Sequence, residues 1–155
     1  MLNVTRRSLT LALLALLVAA LAPAAPAQKS DKEKDEPPFH EYKGVRIGMA
    51  ADEARKKLGD PADKGDTQDF YSFSDTETAQ IYYDAEKKVF AISVFYLGAG
   101  SGVPTPKAVL GTDVEPKDDG SMHQRLDFPK ANCWVAYSRT AGADPLVTIT
   151  LQKRE

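Results

Sequence analysis

The sequence predicts an α+β domain built from two repeats, each a short helix plus a three-stranded antiparallel meander, with the helices packed on one face of the sheet. Three observations predict this. A short helical stretch with a hard stop opens the globular part. Aromatic and β-branched runs joined by short polar connectors follow it. The second half of the chain then repeats the order of the first.

The helical stretch lies in GVRIGMAADEARKKLGDP, Gly44 to Pro61. Asp52 and Glu53 stand early and Lys56 and Lys57 late, an order that complements the helix dipole. Gly59 suits a C-terminal cap and Pro61 blocks continuation. A helix over 51–58 has about two turns, too few to be stable alone in water, so Ala51, Ala54 and Leu58 must dock on something larger.

Three strands follow: Gln68 to Phe73, Thr78 to Tyr83 and Lys88 to Leu97. Their composition suits a pleated surface, and connectors such as Ser74-Asp75-Thr76-Glu77 are short enough to imply antiparallel hairpins. GAGSG at 98–102 interrupts the pattern. Beyond it, AVLGTD, RLDF, CWVAYS and PLVTITL match KKLGDP, FYSF, AQIYYD and KVFAISVFYL in order. Internal similarity of this kind sets the architecture. Repeat one is placed at 39–97 and repeat two at 103–155, with a second helix near Pro106 to Leu110.

Residues 1–27 read as a signal peptide: Arg6 and Arg7, an apolar run from Leu9 to Leu21, and the small-x-small triplet Ala25-Pro26-Ala27. The apolar run is short for a membrane span. Thr5-Arg6-Arg7-Ser8-Leu9 also resembles a twin-arginine signal, so the export route stays open. The expected product is exported, periplasmic or extracellular, and soluble after cleavage near Ala27. Residues 28–38, QKSDKEKDEPP, alternate charges and contain no large apolar residue, which predicts a disordered linker.

The whole chain carries a formal charge of −2; loss of the leader removes Arg6 and Arg7 and no acid, taking it to −4. Such a chain has no electrostatic footprint for nucleic acid or anionic lipid. The single cysteine, Cys133, excludes an intramolecular disulfide. Within Cys133-Trp134-Val135-Ala136 it reads as a buried small hydrophobe. No cysteine follows the leader directly, so no lipid anchor is expected there.

Ile47-Gly48-Met49, Glu53, Leu58-Gly59 and Pro61 together resemble the I-x-G-M-[TS]-x-x-E-V-x-x-x-L-G-x-P pattern that opens the BamE (SmpA/OmlA) domain. A related layout, with two such repeats, is that of the β-lactamase inhibitor protein. The resemblance implies helices on an antiparallel sheet and a role in binding other proteins rather than in catalysis. Ala50 departs from the pattern, where a Thr or Ser would cap the helix. The lipidated cysteine of BamE-type lipoproteins is also missing, so a role in outer-membrane protein assembly is not implied.

Catalytic and metal constellations do not emerge. His40 and His123 are the two histidines, with no metal-ligand spacing. Asp113, Glu115, Asp118 and Asp119 lack calcium-loop order and read as a solvated turn. The chain has no Gly-x-Ser-x-Gly elbow, and its Gly98, Gly100, Gly102 run lacks dinucleotide-binding spacing. No enzyme, metal or cofactor is therefore expected.

Strand alternation sorts the side chains. Ile81, Tyr83, Phe90, Ile92, Val94 and Tyr96, with Cys133, Val135, Tyr137, Val147, Ile149 and Leu151, are assigned to the core. Phe70, Tyr82, Phe95, Arg125 and Trp134 fall opposite, with Leu146 and Thr148. A helix-free sheet face can meet water, and aromatics with arginine on such a face suit a protein interface. These five are the expected partner-binding residues for another envelope or secreted protein. A secreted inhibitor or small-ligand binder using the groove between the repeats is the alternative. The sequence does not specify the oligomeric state, and a monomer is one expectation.

Overall fold

The computed structural model describes residues 36–98, 100 and 102–155. The leader and residues 28–35 of the linker lie outside them. Nine elements follow in order: α1 (Ala51–Leu58), β1 (Asp63–Lys64), β2 (Gln68–Ser72), β3 (Glu77–Tyr83), β4 (Val89–Leu97), α2 (Pro106–Leu110), β5 (Met122–Phe128), β6 (Cys133–Arg139) and β7 (Leu146–Lys153). The strands form one antiparallel sheet in the order β1-β2-β3-β4-β7-β6-β5.

This corrects the expected α+β class. The molecule is dominated by a seven-stranded sheet, and its helices have only eight and five residues. The first half also contributes a fourth strand, β1. The physical reason is visible in α1. Its buried residues are Ala51 and Ala54, which are too small to cover a sheet as a helical layer. Much of the covering is done instead by irregular chain at residues 39–50. There Tyr42 and Val45 are buried and exchange two backbone hydrogen bonds of 2.9 and 2.8 Å. Lys43 and Gly44 both have positive φ, 47° and 82°, the requirement of a tight two-residue turn. The segment then stitches onto the start of β4 through Gly48 N–H to Val89 O (2.7 Å) and Val89 N–H to Met49 O (2.8 Å).

The helix bounds follow local signals. Gly59 ends α1 at φ 86°, a region that disfavours side chains, and donates to Arg55 O at 2.8 Å. Ala50 makes no side-chain cap. At α2, Thr105 Oγ1 accepts from Ala108 N–H at 3.2 Å, Pro106 occupies the first turn, and Gly111 is left-handed.

One face of the sheet carries the core. The rows Tyr71–Ala79–Val94–Ile149–Tyr137 and Ile81–Ile92–Leu151–Val135 run across it, and all are buried with Val45, Ala54, Val109 and Leu110. Pro37, assigned to the linker, is buried as well. No helix among the described residues is long and apolar enough to cross a membrane.

Phe90 was expected in this core and is not there. The β3–β4 register shifts at Tyr82/Tyr83: Tyr83 faces Val89 while Tyr82 faces Ala91. Phe90 is the extra residue of this bulge, and a bulge redirects the side chains around it. Its half-buried ring lies 6.1 Å from that of Tyr82, on the other face.

Candidate functional site

Among the described residues, neither α1 nor α2 packs on the face opposite the core. Register and alternation place all five expected residues on it. Trp134, Gln152, Ala91 and Tyr82 share one cross-strand row, and Arg125, Ala136, Thr150, Ser93, Gln80 and Phe70 share the next. Phe95 sits between Thr148 and Thr78 in a third. The middle of the face is small and polar, with the larger side chains arranged around it.

The five residues do not form one cluster. Trp134 and Tyr82 are three strands apart, roughly 14 Å at ordinary strand spacing. Trp134 pairs with Arg125, whose guanidinium carbon lies 4.3 Å from the ring centroid. Arg125 also donates to Asp127 Oδ1 at 3.1 Å, and Arg154 Nε stands 3.9 Å from the same oxygen. These residues line a depression of about 410 Å³ with Gln152, Lys153 and Glu155. Tyr82 packs on Phe90 and donates to Gln80 Oε1 at 2.5 Å. Phe95 lies toward Leu97 and Leu146, which face each other across β4–β7 and are the exposed large hydrophobics of the described chain. Sequence reasoning missed Phe90 because a bulge has no strong local signal in FAISVFYL. It also missed Leu97, although alternation from Phe95 puts it on this face.

The joint between the two halves is a ladder. β4 and β7 pair from Ala91↔Gln152 to Leu97↔Leu146. A depression of about 200 Å³ lies off the sheet end instead, lined by Gly98, Val103, Pro106, Met122, Tyr137 and Val147 among others.

A second constellation lies on the core side and was not anticipated. Asp69 in β2 is fully buried and accepts four hydrogen bonds: Arg55 Nε (2.8 Å), Arg55 Nη2 (3.1 Å), Tyr83 Oη (2.7 Å) and Gly65 N–H (3.2 Å). Burial opposes its ionisation, but the bonds from Arg55, Tyr83 and Gly65 outweigh burial and hold the carboxyl below its ordinary range. Burial and the Asp69 bond push the Tyr83 phenol far up. The two groups that could have served as a buried acid and base are thus satisfied by each other. The signal for this was present: at period two, Asp69 falls beside Tyr71 on the core face, and a charge there demands a partner. Arg55 supplies it from the inner stripe of α1.

Among the described residues no group of three or more His, Cys, Asp or Glu side chains converges to hold a metal ion. Cys133 is buried and its thiol is pushed up, chiefly by burial. No family model matches the chain, and no curated protein or solved structure is significantly similar to it. Nothing in those comparisons identifies a BamE-like domain.

Proposed function

We propose that this chain is an exported, non-catalytic module that binds another envelope or secreted protein through the open face of its sheet. One observation carries the reading: Phe70, Tyr82, Phe90, Phe95 and Trp134 all stand half-buried on a face that neither α1 nor α2 covers. Aromatic side chains with an arginine are the usual energetic anchors of protein interfaces. Half-burial against strand neighbours also limits the entropy lost when a partner arrives. Export rests on the leader-like residues 1–27. Binding is preferred to chemistry because the one buried carboxylate among the described residues, Asp69, is saturated by Arg55, Tyr83 and Gly65.

The test is capture from an envelope extract with the chain and with the pair Trp134→Ala and Tyr82→Ala. Each substitution removes a half-exposed ring from the open face and leaves the core rows intact. The expected result is a partner retained by the native chain and lost by the double variant, with unchanged circular dichroism and thermal midpoint. Equal capture by both proteins rejects the face assignment.

A further inference from the structure

The two edges of the sheet are built differently. β1 is only two residues long, Asp63 and Lys64, both exposed and charged, and it follows Pro61 closely. Short length, charge and nearby proline are standard protection against pairing with another chain. β5, at the other edge, runs for seven residues, MHQRLDF, with no proline, glycine or lysine. Its register with β6 passes from Met122↔Arg139 to Phe128↔Cys133 without a bulge. Among the described residues, no main-chain hydrogen bond outside the β5–β6 ladder involves residues 122–128. One side of β5 therefore presents a full row of open backbone donors and acceptors.

We propose that β5 is the interface for a second copy of this chain, the two strands pairing antiparallel about a two-fold axis at Leu126. The charge order of the strand selects this occupant and this register. Outward-pointing backbone groups alternate along a strand, so in a two-fold pairing the numbers of facing residues sum to an even constant. Centred on Leu126, Arg125 faces Asp127 of the second copy and Asp127 faces its Arg125. Leu126 faces Leu126, and Gln124 faces Phe128. Centring on Arg125 sets arginine against arginine. Centring on Asp127 sets aspartate against aspartate and brings Pro129, which has no N–H, into the ladder. Centring on Gln124 sets Arg125 against His123 and gains no opposite charge. Directly opposed like charges are unfavourable and opposite charges favourable, so the Leu126 register stands apart from its neighbours.

The side chains are available for this. Arg125 and Asp127 lie on the open face, joined at 3.1 Å, with exposures of 49% and 47%. Leu126 is half-buried and points to the core side, where its twin would extend the apolar layer. The assembly would be one continuous sheet with its two open faces on the same side. This goes beyond the proposed function, because it joins two copies through the backbone of the edge strand, although Arg125 also belongs to the open face.

The experiment is sedimentation velocity over a concentration series of the chain as the cell produces it, with three charge variants. The native chain is expected to shift from monomer to dimer with concentration. Arg125→Asp places an acid opposite Asp127 at both symmetric positions and is expected to weaken dimerisation about tenfold or more. Asp127→Arg should do the same. The double variant, Arg125→Asp with Asp127→Arg, restores opposed charges and should dimerise again. Both positions are exposed, so each variant should keep the native circular dichroism. Leu126→Cys adds an accessible thiol to a chain whose own Cys133 is buried, and should crosslink to itself under mild oxidation. A native chain that stays monomeric, a double variant that fails to recover, or self-crosslinking at His123→Cys in preference to Leu126→Cys overturns the proposal.

Discussion

Replacing Arg55 by leucine isolates the energetics of the buried Asp69 cluster. The substitution keeps apolar bulk over the Tyr83 ring, which Arg55 covers with its guanidinium carbon 5.5 Å from the centroid. It removes two of the four hydrogen bonds to a carboxylate of zero exposure. Removing one member of a buried ion pair leaves an uncompensated charge and costs about 3–5 kcal/mol. A surface pair of the same types contributes about 0–1 kcal/mol. The sign of the pH dependence follows from the native carboxyl, which is held below its ordinary range. Its stabilisation is full above the unfolded pKa and is lost as pH falls through the folded one. Without Arg55, two of the four hydrogen bonds and the favourable charge are lost while desolvation remains, so the folded carboxyl holds its proton more tightly than in the native chain. The deficit should therefore be largest at pH 7 and shrink towards pH 4. Urea unfolding at several pH values, with the denaturant slope unchanged, measures it. Adding Asp69→Asn to the variant should recover part of the loss, since an amide oxygen still accepts from Tyr83 and Gly65. A loss below about 1 kcal/mol at pH 7 would refute the reasoning by placing the pair in the surface class.

Two further outcomes are expected. Ala50→Ser should stabilise the protein by about 1 kcal/mol in the same unfolding assay, because Ala50 is exposed and extended (φ −66°, ψ 144°) and a hydroxyl there can cap α1; no gain would mean the cap geometry is not reached. Cys133 should react with a thiol reagent only as fast as the domain opens, since it is 4% exposed and its thiolate is suppressed by burial; rapid labelling of the folded chain would contradict its placement.

What could be read from the sequence was what is encoded locally. The end of α1 follows from Gly59 and Pro61, and that of α2 from Gly111, all within a turn of the ends they define, whereas the start of α2 at Pro106 was not clear from the sequence. Strand positions and the face of Tyr82 or Trp134 follow from alternation, which needs only the neighbouring residues. The failures concern relations between distant segments. Phe90 changed sides because an extra residue entered one strand at Tyr82/Tyr83. The Asp69–Arg55 pair joins residues fourteen apart through the docking of a helix on a strand. The fold class was misjudged because 39–50, with its buried Tyr42 and Val45, lacks helical or strand periodicity yet covers core that a helix was expected to cover. Hydrogen bonding of Tyr42 to Glu77 at 2.7 Å and the edge-on packing of Tyr42 on Phe73 anchor that segment, and neither contact is visible as a pattern.

The joint between β4 and β7 has a consequence for the order in which the protein is made. β7 is the last of the seven strands in sequence, yet it lies inside the sheet, between β4 and β6. Until it arrives, β4 is an open edge nine residues long, VFAISVFYL, with no charge to deter pairing. Partners such as Ala91 and Gln152 are sixty-one positions apart, so their meeting closes a long loop and belongs among the slow steps of folding. An emerging chain therefore carries a sticky ribbon that only its own tail can mask.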